Sequence, residues 1–242
     1  MPGPIYHPVA TGAAHDTTQS MRTWAVLEAK GIPYKYREVN PYLKEKDFLG
    51  ISPHALTPGL YANSRPLHDS TIINEFLEEA GQTLGADPTV PSLWPKEGGA
   101  YAKARARLWI DHINKAVVPA FIRLLQAGSS ETQETALQEW TTALSHITAH
   151  CQGPFFYGQN ISLVDLAIAP WTVRDFILCE KSGFVRDSAP GWAAWAEALK
   201  GHPAVQRTTS DPAKYLEFNQ TFMQNEDHSV VGKAARTGQE IL

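Results

Sequence analysis

Residues 55–80, ALTPGLYANSRPLHDSTIINEFLEEA, decide the fold. The first half reads as two short strands around an Asn63-Ser64-Arg65 turn, a hairpin pattern. Pro58 stands at the entry of the first strand. There a cis peptide would present the backbone N–H and C=O of Thr57 as a peptide-binding edge, with an ordinary trans proline as the alternative. The second half is a helix that starts on Asp69 or Ser70 as N-cap, sets Ile72, Ile73, Phe76 and Leu77 on one face, and stops at Gly81. An acid-hydroxyl pair at a helix start meets free N–H groups and the positive end of the dipole, a setting for a small carboxylate ligand. Plain N-capping uses the same two residues.

Upstream, 20-SMRTWAVLEAKGI-32 places Met21, Trp24, Ala25, Leu27 and Ala29 at helical spacing and ends at Gly31. 34-YKYREV-39 alternates with a period of two and reads as a strand, as does 5-IYHPVAT-11. The first 80 residues therefore read βαβ, then ββα. Downstream, 81–99 is rich in Gly and Pro, lacks periodicity and marks a linker. From Ala100 onward helical patterns dominate: 101–126, then 131–151 after a break at Gly128, then 160-NISLVDLAIAPW-171, then 189–205. In the third of these, Ser162 caps and Asp165 reaches back to it, while Pro170 bends the helix. The polar tail after Tyr215 reads as wrapping or fraying.

Composition bounds the function. A chain of 242 residues with 43% hydrophobic and 10% aromatic residues can bury real cores. A net charge of −4 without a dense basic run gives no footprint for nucleic acid or an anionic membrane. No apolar run approaches ~18 residues and the N-terminus has no basic or apolar leader pattern, so a cytoplasmic protein is expected. Cys151 and Cys179 are too far apart for a CxxC pair and too few for a zinc site, and read as reduced core thiols; no metal is expected.

The element order is that of a thioredoxin-like domain joined to an all-α domain. With 28-EAKGIPYKYREVNPYLKE-45, 55–80, 109-WIDHINKAVVPAFIRLLQ-126 and 162-SLVDLAIAPW-171 in this order and spacing, the chain resembles the glutathione transferases, in particular the omega-like group common in fungi. The resemblance implies an α/β thioredoxin-like glutathione-binding domain at 1–81, a linker at 82–98, and an all-helical domain at 99–242 with a hydrophobic substrate cleft. It implies glutathione as co-substrate and a homodimer. Carried over by position, Thr57 pairs its backbone with the cysteinyl unit, Pro58 is cis, Asp69 and Ser70 hold the γ-glutamyl end, and Lys44 meets a ligand carboxylate. Asp69 departs from the usual Glu by one methylene.

The larger departure is at 15-HDTTQSMRTW-24. Omega-like members carry Cys-Pro-Phe or Cys-Pro-Tyr here, and counting back from Arg22-Thr23 puts Thr17 on the cysteine and Thr18 on the proline. Without that sulfur, thiol transfer through a mixed disulfide cannot occur at this position. A hydroxyl can still donate to the thiolate of glutathione; Thr17 is the first candidate, and Ser20 or Thr18 serves if the loop register slips. His15 when protonated favours the thiolate, and Asp16 opposes it unless it faces water. Trp109, His112 and Trp171 are cleft candidates, with core packing the plainer role for each. The function expected is thiol attack on a hydrophobic electrophile, in a fungal specialised pathway by analogy. Glutathione-dependent isomerase, dehydratase or lyase chemistry and a ligand carrier without catalysis are the alternatives.

Overall fold

The structure, a computed structural model, describes residues 4–8, 18–39, 46–54 and 56–223. In chain order β1 (Pro4–Pro8), α1 (Thr18–Lys30), β2 (Lys35–Val39), α2 (Lys46–Leu49), β3 (Gly59–Ala62), β4 (Arg65–His68) and α3 (Ser70–Ala80) make the first half. The sheet order is β2-β1-β3-β4; β1 is parallel to β2, as a helical crossover requires, and antiparallel to β3. The hairpin turn narrows to Asn63 and Ser64, with φ of 50° and 65°, a left-handed pair whose twist suits a two-residue loop. Arg65 already belongs to β4.

α1 buries Met21, Ala25, Val26 and Leu27 and ends where Gly31, at φ 61°, lets the Ile32 N–H donate to the Leu27 carbonyl at 3.0 Å. α3 starts at Ser70, so its inward line is Ser70, Ile73, Asn74 and Leu77, the i, i+3, i+4, i+7 set. Ile72, expected on that face, is 56% exposed because it lies a third of a turn away. Gly81 does not stop the helix either. It stays helical at φ −50°, a 3₁₀ turn runs on to Leu84, and Gly85 takes the left-handed position while the Ala86 N–H returns to the Gly81 carbonyl at 2.8 Å.

The Gly/Pro-rich stretch that follows is packed. Leu84, Ala86, Leu93 and Trp94 are buried, and the Leu93 carbonyl accepts from the Leu163 N–H at 3.0 Å. Glu78 accepts from the Leu93 N–H at 3.1 Å and pairs with Lys30 at 3.0 Å, both side chains buried, so α1, α3 and this stretch share one ionic junction.

The second half comprises α4 (Gly99–His112), a π-helical turn (Ile113–Val117), α5 (Val118–Gln126), α6 (Ser130–Thr148), α7 (Leu163–Thr172), α8 (Asp175–Lys181), α9 (Trp192–Gly201), α10 (Pro203–Arg207) and α11 (Pro212–Met223). The pattern at 101–126 is thus two helices joined by a wide turn. Pro119 has no N–H to return to Lys115, and one residue earlier the Val118 N–H reaches the Ile113 carbonyl, five residues back. The tail expected after Tyr215 is helical as far as Met223, and Tyr215 is buried beneath the Arg174 guanidinium, 4.0 Å from its ring centroid.

All ten residues of α7 are buried, so it is the axis around which the molecule packs, touching α1, α4 and α9. Its start holds the expected capping box, with Asp165 accepting from the Ser162 N–H at 2.9 Å and its hydroxyl at 2.6 Å. Among the described residues no helix is long and apolar enough to cross a membrane.

Candidate active site

Strand register gathers the candidate residues. Gly59 pairs with His68, so Thr57-Pro58 before β3 and Asp69-Ser70 after β4 lie side by side at one end of the sheet. β1 runs antiparallel to β3 and parallel to β2, so the C-terminal ends of β1 and β2 reach that same end. This is the crevice at the carboxyl ends of parallel strands where open α/β sheets take ligands. Thr17 and Lys44 lie outside the described residues.

The Thr57–Pro58 peptide is cis, and Thr57 is half-buried. Asp69 has φ 72° and ψ 122°, a sparsely populated conformation for a residue with a Cβ, of the kind that collects at ligand sites. Its Oδ1 accepts from the N–H groups of Thr71 at 2.8 Å and Ile72 at 3.1 Å. The acid therefore caps its own helix with one oxygen, on an exposed residue. Ser70, the first helical residue, has no carbonyl one turn back to receive its N–H. Its hydroxyl donates to Gln19 Oε1 at 2.9 Å, which ties the start of α3 to the start of α1.

Arg22 is the hub behind that bond. It is 2% exposed. Nε donates to the Ala167 carbonyl of α7 at 2.7 Å, and Nη1 donates to Gln19 Oε1 at 2.8 Å and Asn114 Oδ1 at 2.7 Å. The guanidinium lies 4.7 Å from the Trp171 ring centroid, a cation-π contact. Burial pulls its pKa down to about 9, against the nearby Asp69 carboxylate, and it stays positive at neutral pH. Nη2 and the buried Asn74 Oδ1 face one cavity of about 10 Å³, a donor and an acceptor around room for a single water.

The remaining candidates fall in two places. Ser20 is 3% exposed, on the inward face of α1. Trp171 joins the site through Arg22. Trp109 and His112 belong to another cluster on the seam of α4 and α6: His112 Nε2 donates to the Ala143 carbonyl at 3.1 Å, its ring lies 4.8 Å from that of His146, and the Trp109 ring lies 4.6 Å from that of His150, tilted by 45°. Burial holds the His112 pKa below its ordinary value, so it is neutral at neutral pH. Their packing role is the plainer one.

Gln19, Arg22 and Asn114 are the residues that sequence reasoning missed. Their partners are distant in sequence or lie on separate elements, and no local spacing marks them.

Both cysteines lie in the helical half, Cys151 after α6 and Cys179 on α8. Both are half-buried against the core rather than within it, and burial pushes the Cys151 thiol up to about 12 and the Cys179 thiol upward as well. Iodoacetamide at pH 7.5 is expected to label them slowly and to leave glutathione-dependent turnover unchanged. Loss of turnover in step with labelling of either cysteine, followed by mass spectrometry, would overturn this.

Residues 18–80 match the family model described as the glutathione S-transferase N-terminal domain. A probable glutathione S-transferase, parC, of Nicotiana tabacum is 31% identical over 202 residues, 82% of this chain and 87% of that one. Glutathione S-transferase U19 of Arabidopsis thaliana is 28% identical over 82% of this chain and 88% of its own. Among solved structures, glutathione transferase Omega 3C from Trametes versicolor superposes with a TM-score of 0.80 at 36% identity, covering 92% of this chain and 91% of that one. Rice GST1 in complex with glutathione also gives 0.80, at 24% identity over 93% and 98% of the two chains, a likeness of fold. With a cis-proline strand entry, an acid-hydroxyl helix start and a buried arginine all meeting at one end of a β2-β1-β3-β4 sheet, and relatives that match over most of their length, the chain belongs to the glutathione S-transferase family.

Proposed function

We propose that glutathione binds at this sheet end and that a hydroxyl at the start of α1 ionises its thiol for attack on a hydrophobic electrophile held by the helical half. What carries the reading is the convergence of Thr57-Pro58, Asp69-Ser70 and the start of α1. Thr57 would pair with the peptide backbone of the ligand, Ser70 and Asp69 with its γ-glutamyl end, and Lys44 with a carboxylate. Glutathione is the co-substrate. Thr17 is the thiolate partner in this reading, because Ser20 is buried in the α1 face and has no open approach. The domain division at 1–81, 82–98 and 99–242 follows the same reading. The omega-like class is supported by the 36% identity with Omega 3C of Trametes versicolor. A homodimer is supported by Tyr101 and Leu108, 77% and 57% exposed and seven residues apart on α4.

Energetics allow the step. Moving a thiol from a pKa of about 8.5 to roughly 6.5 requires ~2.7 kcal/mol of preferential thiolate stabilisation. One hydrogen bond to a charged group supplies ~1.5–3 kcal/mol and a helix N-terminus ~0.3–1. The test is a pH titration of thiolate absorbance for glutathione bound to the wild type and to Thr17→Ala. The bound thiol is expected to ionise about two units below the free one and to return toward it in the variant. An unshifted thiol in the bound wild type would sink the conjugation mechanism and leave the carrier reading. A product that retains no glutathione would point to isomerase or lyase chemistry.

A further inference from the structure

Gln19 is held in one orientation from two sides. Arg22 and the Ser70 hydroxyl both approach the same amide atom, at 2.8 and 2.9 Å. A guanidinium has donors only, so the atom it meets is the carbonyl oxygen, and the amide cannot be turned over without setting donor against donor. Arg22 itself is anchored independently of Gln19 by the Ala167 carbonyl, Asn114 and the Trp171 ring. The consequence lies on the other end of the amide: Nε2 carries two N–H donors, and no described residue accepts from them. Gln19 is half-buried, in the first turn of α1, and bonded to the first residue of α3.

The geometry points to Gln19 as a binding residue of the candidate site, donating Nε2–H to the α-carboxylate of an amino-acid-type ligand group seated at the start of α3. The inference rests on the glutathione reading and assigns its γ-glutamyl end. With its proton committed to Gln19, the Ser70 hydroxyl oxygen offers lone pairs and Asp69 offers Oδ2, so these two face the ligand ammonium. The Ser70 N–H and Gln19 Nε2–H face its carboxylate. Arg22 is the positioning residue that holds the amide in register, so α7 and the π-helical turn set the orientation of a side chain in the other half of the molecule.

Gln19→Glu is the discriminating variant, because its carboxylate still accepts from Arg22 and Ser70 while the leftover donor becomes a second acceptor oxygen and the side chain gains one negative charge. Calorimetric binding of two ligands is measured: glutathione, and the analogue in which 4-aminobutanoyl replaces the γ-glutamyl group and the α-carboxylate is absent. Gln19→Glu is expected to weaken glutathione about tenfold or more, the order carried by a charge-assisted hydrogen bond, and to hold the analogue as well as the wild type does. Gln19→Met, uncharged and of similar shape, is expected to weaken glutathione in the same direction, which keeps the test open if the first variant folds poorly. Equal weakening of both ligands, or no weakening of glutathione, would overturn the assignment while leaving the glutathione site in place. Failure of the wild type to bind glutathione would overturn both.

Discussion

Asp165→Ala is expected to lower the unfolding free energy by about 3–5 kcal/mol, the largest effect of any single change considered. Asp165 is fully buried at the start of α7 and accepts four hydrogen bonds: from the Phe156 N–H at 2.9 Å, the Ser162 N–H at 2.9 Å, the Ser162 hydroxyl at 2.6 Å and the Trp195 indole at 2.7 Å. Removing it orphans donors from the 155–158 turn, the α7 cap and α9 together. All come from buried residues, and each unpaired donor costs about 1–3 kcal/mol before relaxation. Denaturant unfolding reads the effect as a lower midpoint with an unchanged slope; a loss below about 1 kcal/mol would show that the junction repacks.

Asp165 also carries a pH signature. Burial outweighs its four donors and raises its pKa from 3.8 to about 6. The folded chain thus binds this proton more tightly than the unfolded one. Its contribution to stability declines as pH rises from about 4 to about 6 and is constant above. Asp165→Asn cannot titrate, so the stability of the wild type relative to this variant is expected to fall across that window and then level off. A difference that grows across it would contradict the assignment.

Ser70→Ala is expected to reduce kcat/KM for glutathione by about 10–100-fold, since a hydrogen bond to a charged group is worth ~1.5–3 kcal/mol. Stability should change little, because Gln19 keeps its bond to Arg22 and the helix keeps its Asp69 cap. The contrast with Asp165 is informative: both are side chains at helix starts, but Asp165 serves only the fold. Steady-state kinetics with glutathione as the varied substrate, beside a thermal midpoint, separate the two effects. A drop of less than twofold would remove the start of α3 from the ligand site.

Element types and their order were legible because each rests on local patterns: a period of two in 34–39, helical spacing in 20–32, and a capping box at Ser162 and Asp165. Thr57-Pro58 and Asp69-Ser70 stood out in the sequence because each motif carries its own chemistry, and the strand register sets the two side by side. Helix ends and faces were less legible. Gly81 and Gly85 are both plausible stops in one dimension, and the choice falls to the one whose backbone goes left-handed once Ala86 docks. Ile72 and Ile73 differ by the third of a turn that the N-cap at Asp69 sets.

The Arg22 hub lay beyond reach altogether. Its partners Gln19, Asn114, Ala167 and Trp171 are spread over α1, the π-helical turn and α7, and no spacing rule relates residues 22 and 167. By itself the sequence determined which segments become helices and strands, that no cysteine stands at the start of α1, and where an anion-accepting helix start would fall. Only the tertiary structure decided which polar groups meet, because a buried guanidinium must find acceptors wherever packing supplies them, and here packing supplied them from the opposite half of the chain.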